Sequence, residues 1–110
     1  MCTEYIIKVE RPKEYEMDNR KIVRTFSAGV FFGEIICLKK KTATIRNARR
    51  IYYWEGAASL SQLAQTGTSR PDKCKFPESV DEIMVTEVIE ILSVTQKAAD
   101  SIDAVFIWKI

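Results

Sequence analysis

The chain of 110 residues contains no histidine. Histidine is the usual general base of Ser-His-Asp and Cys-His catalytic sites and the commonest metal ligand in proteins. Its absence excludes those nucleophilic enzymes and disfavours a transition-metal site. Carboxylate, lysine and tyrosine side chains could still act as acids or bases, so an enzyme is disfavoured rather than excluded. We predict a protein with no catalytic residues, no metal and no cofactor.

Cysteine is also scarce: the chain has three, Cys2, Cys37 and Cys74, which lie far apart in the sequence. Their number and spacing match neither a disulfide framework nor a Cys-x-x-Cys metal site. We therefore interpret all three as reduced thiols that are buried or unreactive. The glycine-rich patterns that hold phosphates, such as the Walker loop and Gly-x-Gly-x-x-Gly, are missing as well.

Long apolar segments are missing: the longest runs are four or five residues, against about 20 for a membrane-spanning helix. The first residues lack the basic and apolar regions of a signal peptide. Only four glycines and three prolines, with 29% charged residues, argue against a fibrous or disordered chain. We expect one small binding domain that stays in the cytoplasm, contacts no membrane and forms a homo-oligomer, because a domain of this size has little stability to spare.

The net charge of +2 conceals an uneven distribution along the chain. Residues 20–75 carry twelve basic and three acidic side chains, a charge of +9, whereas residues 76–110 carry two basic and seven acidic ones, a charge of −5. A segment this basic is typical of proteins that bind phosphates, nucleic acid or an acidic protein surface. Alternatively, the basic and acidic segments pair with each other inside the fold or across a dimer.

Hydrophobic periodicity predicts a single α+β domain over residues 22–110, preceded by an N-terminal arm or linker over 1–21. Residues 30–38 are apolar on both faces, which is typical of a central strand covered on both sides. In the segment 80–92, Glu87 interrupts the alternation and predicts a bulge or bend near 86–88. We expect a mostly antiparallel curled sheet, or a small partly open barrel, of five to six strands with two short helices. The predicted strands are 4–9, 22–26, 30–38, 42–53, 80–92 and 105–110, and the predicted helices are 56–67 and 96–102, the second capped by Thr95.

The segment 46–61 joins a basic strand, three consecutive aromatic residues and a predicted helix start made of small and hydroxyl residues. Helix N-termini and arginines bind phosphates, and aromatic rings stack on nucleobases. The segment therefore predicts a nucleotide or anion site, although the same residues also suit a purely structural role in the core and at the sheet edge. The candidate ligand-binding residues are Arg46, Arg49, Arg50, Tyr52, Trp54, Gly56, Ala57, Ser59, Ser61 and Trp108.

Strand alternation limits which of these residues can converge. It places Arg46, Arg50 and Tyr52 on one face of the predicted strand and Arg49 on the other, unless a bulge reorients one of the arginines. We expect the main site to combine those three residues with the helix start at 56–61. Arg49 and Trp108 are secondary members, because Trp108 also suits a core or dimer-interface anchor.

Several blocks of the sequence resemble a family of small uncharacterised proteins found mostly in bacteriophages and prophages. The first block is RTFSAGVFFG at 24–33, and the most specific is ARRIYYWEGAASLSQLA at 48–64. Further similar positions follow at 74–77 and through the C-terminal tail to Trp108. The resemblance covers about residues 22–110 and leaves 1–21 as an added arm.

The resemblance implies a phage protein in the host cytoplasm, and the family supplies no activity to transfer. Small phage proteins without enzyme motifs often counter host defence, and some hold the nucleotide signals that defence enzymes make. We therefore predict a protein that sequesters a cyclic or otherwise phosphorylated nucleotide. The alternatives are an inhibitor that binds a host nuclease or CRISPR effector, and a nucleic-acid-binding accessory protein.

Overall fold

A computed structural model describes residues 16–110, which form one antiparallel sheet and two helices. The strand order is β4-β3-β2-β1-β5. This arrangement confirms the predicted α+β class with a curled, partly open sheet. The strands are β1 (Met17–Thr25), β2 (Val30–Lys39), β3 (Thr42–Arg50), β4 (Val80–Val85) and β5 (Val88–Thr95), and the helices are α1 (Leu60–Thr66) and α2 (Gln96–Ala104).

The curl of the sheet comes from the bend between β4 and β5. These strands lie at opposite edges of the sheet, yet only Thr86 and Glu87 join them. Glu87 has a φ of 57°, and its carbonyl accepts a hydrogen bond of 2.9 Å from the Phe26 amide in the β1–β2 turn. The next amide, of Val88, donates at 2.9 Å to the Lys41 carbonyl in the β2–β3 turn. The predicted bend near 86–88 is thus confirmed, and it draws the two sheet edges together.

The sheet is buried on both faces, as the apolar pattern of residues 30–38 predicts. Phe31 belongs to one cluster of buried side chains and the adjacent Phe32 to the other. The inner core covers one face of the sheet and includes buried or partly buried side chains from all five strands. Its buried members are Val23, Phe31, Ile35, Ala43, Ile45, Ala48 and Val85. The helix-side core packs the other face against both helices, with Ile22, Phe32, Leu63, Phe76, Ala98 and Ile102 among its buried members.

A β-bulge at Asn47 overturns the predicted arrangement of the arginines on β3. Arg49 pairs with Phe32 and Arg46 pairs with Glu34, so β3 has one more residue than β2 between these two pairs. Asn47 takes up the extra residue with a φ of 50°. Arg50 pairs with Phe31, which lies on the face opposite Glu34 because the two are three positions apart on β2. The prediction that Arg46 and Arg50 share a face is therefore wrong.

Several element boundaries differ from the predicted ones. The first strand begins at Met17, inside the segment predicted as a linker, and β3 ends at Arg50 rather than at residue 53. The first helix begins at Leu60 rather than at residue 56. Residues 105–110 form no strand, only a parallel bridge between Ile107 and Phe76. The predicted strand 4–9 lies outside the described residues.

The second helix agrees closely with the prediction. Thr95 caps it, because its hydroxyl accepts a hydrogen bond of 3.1 Å from the Ala98 amide. Ala98, Ala99 and Ile102 are buried, as the spacing predicts. Of the cysteines, Cys74 is free and buried, whereas Cys37 is disulfide-bonded, so the prediction of reduced thiols is wrong for Cys37.

Candidate functional site

Arg49 is a buried residue of the protein interior, only 8% exposed. Its guanidinium donates hydrogen bonds of 2.7 to 3.2 Å to five backbone carbonyls. Burial lowers the pKa of Arg49, and the negative charge of Asp103 partly offsets this effect. The carbonyls of Ile102 and Val105 lie at the C-terminal end of α2, where a cation is favoured by the helix dipole. These contacts give Arg49 a structural role. The five acceptors belong to Phe76, Pro77, Ile102, Val105 and Phe106.

The other two candidate arginines are exposed but do not converge. Arg46 lies with its Nη1 3.8 Å from the Glu34 carboxylate. Arg50 donates a hydrogen bond of 2.6 Å to the Ala28 carbonyl and places its Cζ 4.5 Å from the centre of the Phe31 ring. Because the bulge puts these arginines on opposite faces, the structure does not assemble the predicted main site.

A variant of the capping box occupies the start of α1, where a phosphate site was predicted: Gln62 bonds the amide of Ala58, which precedes the N-cap Ser59. The Ser59 hydroxyl accepts a hydrogen bond of 3.2 Å from the Gln62 amide, and the Gln62 side-chain carbonyl accepts one of 2.9 Å from the Ala58 amide. Side chains of the protein therefore already satisfy these backbone N–H groups. Ser61 is exposed on the same turn.

The residues just before the helix hold a neighbouring loop. Gly56 has a φ of 83°, and its carbonyl accepts a hydrogen bond of 3.1 Å from the Ser69 amide. A Cβ at this position would collide with the backbone of Arg70, so only glycine fits. The Trp54 indole donates to the Ala57 carbonyl at 3.2 Å, and both residues pack against the helix-side core. Trp54, Gly56 and Ala57 thus serve packing in this structure.

Tyr52 and Trp108 are the candidate residues that the structure brings together. Their ring centroids are 5.3 Å apart and their planes differ by 7°, an aromatic stack. Tyr52 is 62% exposed, so its ring remains open to solvent on the side away from Trp108. The stack is therefore an aromatic platform at the surface.

Lys75 and Tyr53 extend this platform. The Lys75 Nζ lies 5.5 Å from the centre of the Trp108 ring and 5.7 Å from that of Tyr53. The Tyr53 hydroxyl donates a hydrogen bond of 2.8 Å to the Glu55 carboxylate, and this bond raises the pKa of Tyr53. We name the four side chains Tyr52, Trp108, Lys75 and Tyr53 the aromatic row.

Three extended segments build the aromatic row. The Lys75 amide donates a hydrogen bond of 2.7 Å to the Tyr53 carbonyl, and the Lys75 carbonyl accepts one of 3.2 Å from the Tyr52 amide. On the other side, the Trp108 amide donates at 3.0 Å to the Phe76 carbonyl. These backbone bonds hold residues 52–53, 75–76 and 107–108 side by side, so that the side chains of the aromatic row meet at the surface.

Lys75 and Tyr53 are not among the candidate residues that the sequence pattern indicates. Tyr53 and Lys75 are 22 positions apart, and Trp108 lies another 33 positions along the chain. No local pattern connects residues that meet only through such long-range backbone pairing. The run of three aromatics at 52–54 is the local signal in the sequence, and it marks one of the three segments.

Part of the basic charge of residues 20–75 is neutralised within the fold. Arg20 pairs with Asp103 at 2.8 Å and Arg24 with Glu90 at 3.2 Å, and both pairs join this segment to the acidic residues 76–110. These two ion pairs agree with the interpretation that the basic and acidic segments pair with each other inside the fold. Within residues 16–110, no acidic side chain forms an ion pair with Lys75. Its charge is therefore available to an anion.

A family model described as a domain of unknown function, DUF6948, matches residues 18–102. The chain belongs to this family. The DUF6948 match covers β2 to β5 and all of β1 except Met17. It includes Tyr52, Tyr53 and Lys75, whereas Trp108 lies beyond its end. No curated protein and no solved structure matches the chain. In the part of the chain that the structure describes, neither helix is long and apolar enough to cross a membrane.

Proposed function

We propose that this protein is a non-enzymatic nucleotide-binding protein and that a nucleobase stacks on the aromatic row. The main observation behind the proposal is the exposed ring of Tyr52, which stacks on the Trp108 ring on its other face. A ring held in this way loses little conformational freedom when a base stacks on it. Stacking of one base on an aromatic side chain contributes about 1–3 kcal/mol.

Lys75 is the proposed contact for the phosphate. Its ammonium group is held 5.5 Å from the centre of the Trp108 ring and 5.7 Å from that of Tyr53, within the same row of side chains. A lysine contacts phosphate as a point charge, so the binding should weaken as salt concentration rises. The combination of an open ring and a cation that forms no ion pair within residues 16–110 suits a nucleotide better than an uncharged aromatic ligand.

The proposed biological setting is counter-defence in a phage-infected cell. The similarity of the sequence blocks to small phage and prophage proteins supports this setting. In it, a homo-oligomer of the protein in the host cytoplasm would bind and hold a phosphorylated nucleotide signal. Sequestration needs binding without turnover, which agrees with a chain that lacks histidine and known catalytic motifs.

The test is a calorimetric titration of the wild-type protein and two variants with adenosine, guanosine, cytidine and uridine nucleotides. We expect Tyr52→Ala to lower the affinity for the preferred nucleotide about tenfold, as loss of one stacking contact predicts. Lys75→Ala should lower the affinity by a larger factor at low salt than at high salt, because the contact is ionic.

Two matched variants serve as controls. Phe26→Ala removes another exposed aromatic ring, 75% accessible in the β1–β2 turn, and Lys97→Ala removes an exposed lysine on α2. Both should bind like the wild type. If no nucleotide binds the wild type, or if Phe26→Ala weakens binding as much as Tyr52→Ala, the proposal is wrong, and a protein partner becomes the leading alternative.

A further inference from the structure

We infer that two copies of this chain associate through the edge strand β4, which pairs antiparallel with β4 of the second copy about a two-fold axis. The inference does not depend on the nucleotide-binding function proposed above. It names the surface that joins the copies in the predicted homo-oligomer.

One edge of β4 is open. Within residues 16–110, β4 pairs with β3 on one side and with no strand on the other. Val80 is 48% exposed and Met84 is 68% exposed, and β4 contains no lysine or proline. Such an edge leaves backbone N–H and C=O groups available to a further strand.

Oppositely charged groups flank the two ends of this edge. The segment 78–82 at the start of β4 carries three carboxylates, and the turn beside the end of β4 consists of three lysines, 39–41. All six charged residues are exposed, and none forms an ion pair within residues 16–110. The nearby Arg46 and Glu87 each offset one of these charges, which leaves one end acidic and the other basic.

An antiparallel two-fold brings the acidic end of one copy beside the basic end of the other. Ala43 is opposite Val85 in the β3–β4 register, so Lys41 lies two residues beyond the end of β4. The acidic segment and the Lys41 backbone of the second copy are then two strand spacings apart, about 10 Å, which a lysine and a glutamate side chain together span. Acidic residues on an edge strand normally discourage pairing. Here they favour a partner edge that is flanked by lysines.

Side-chain alternation and charge determine the register. Directly opposite residues of antiparallel strands point to the same face, so a two-fold must place one residue of β4 opposite its own copy. With Glu82 in that position, two carboxylates would face each other, which is destabilising. With Ile83 there, Glu82 is opposite Met84 of the second copy, and residues 81–85 of both strands pair. We therefore assign the two-fold to Ile83.

Analytical ultracentrifugation at low salt tests the inference. The wild type should be a dimer, and its dissociation constant should rise with salt, because the contacts between the charged ends are ionic. Met84→Glu places a carboxylate opposite Glu82 of the second copy and should raise the dissociation constant about tenfold or more, whereas Met84→Lys should lower it. Ile89→Glu, at a 50% exposed position on the other edge strand, is the matched control and should dimerise like the wild type.

An exchange of charge tests the ionic contacts. Glu78→Lys/Asp81→Lys and Lys39→Glu/Lys41→Glu should each dimerise weakly, because each variant carries like charges at both ends of the edge. An equimolar mixture should form a heterodimer, which native mass spectrometry identifies by its mass. A monomeric wild type, an assembly larger than a dimer, a wild-type affinity in Met84→Glu, or a mixture that stays monomeric would each overturn the inference. None of these results bears on nucleotide binding.

Discussion

The Arg49 guanidinium donates a hydrogen bond of 2.7 Å to the backbone carbonyl of Val105, 56 positions further along the chain. With four more carbonyls around the same group, this bond ties β3 to the end of α2 and to the segment at Phe76 and Pro77. The C-terminal segment that carries Trp108 begins at this point. Arg49 thus acts on the aromatic row indirectly, by holding one of the three segments that form it.

Replacing Arg49 by methionine should destabilise the protein strongly. The variant leaves five carbonyls without their charged donor, three of them at buried and two at partly buried hydrogen bonds. We expect a loss of about 3 kcal/mol in the free energy of unfolding. Urea denaturation followed by circular dichroism measures it. Arg46→Met, at an exposed site on the same strand, should change this free energy by less than about 0.5 kcal/mol. Equal stability of the two variants would show that the Arg49 network contributes little.

The bulge at Asn47 predicts an unusual pattern of substitutions. Because Asn47 has a φ of 50°, Asn47→Gly should keep or slightly raise stability, whereas Asn47→Val should lower it by about 1–2 kcal/mol. Thr44→Val on the same strand serves as control, since valine suits ordinary strand geometry. Thermal unfolding of the three variants measures the effect. If Asn47→Val is as stable as the wild type, there is no bulge at Asn47, and Arg46 and Arg50 lie on one face of β3.

Asp18 should make the protein sensitive to acid. Burial alone would raise the pKa of Asp18, but hydrogen bonds from the side chain and backbone of Arg20 outweigh it and lower the pKa below its ordinary value of 3.8. A carboxyl with a lower pKa in the folded state stabilises the fold fully above the unfolded pKa, and this contribution is lost as the pH falls through the folded pKa.

Urea denaturation between neutral pH and about pH 2 tests this dependence. Asp18→Asn should be less stable than the wild type at neutral pH, and the difference should shrink below about pH 4, near the ordinary pKa of an aspartate. If the two proteins lose stability in parallel across this range, Asp18 does not contribute to the acid sensitivity.

The capping box at α1 predicts a variant that affects stability and not binding. Ser59→Ala removes the acceptor of the Gln62 amide and should lower the free energy of unfolding by about 1 kcal/mol. Nucleotide affinity, measured by calorimetry well below the melting temperature, should stay unchanged. A marked loss of affinity in this variant would indicate that the ligand binds at the helix start, as the sequence pattern predicts.

The sequence was most informative where the structural cause is local. The two-sided apolar run at 30–38 predicted a buried central strand, and the break in alternation at Glu87 predicted the bend that curls the sheet. The pattern at Ser59 and Gln62 is also local, and it forms a helix cap at the position where the small and hydroxyl residues predict a phosphate site.

The remaining errors have non-local causes. Strand alternation assumes that each residue of β3 pairs with one residue of β2. The extra residue at Asn47 therefore places Arg49 and Arg50 on the faces opposite to those predicted. The burial of Arg49 depends on carbonyls from segments 27 or more positions away. Likewise, Lys75 reaches the aromatic residues only because backbone pairing aligns three distant segments.

The most direct test of the aromatic row uses the two tryptophans of the chain in one NMR experiment. Each gives a separate indole N–H peak; Trp108 lies in the row, and Trp54 packs against the helix-side core with its indole bonded to Ala57. During titration with the nucleotide that binds most tightly, the Trp108 peak should shift progressively and saturate, while the Trp54 peak stays in place. If the Trp108 peak does not move at millimolar nucleotide, or if both peaks move equally, the aromatic row is not the binding surface.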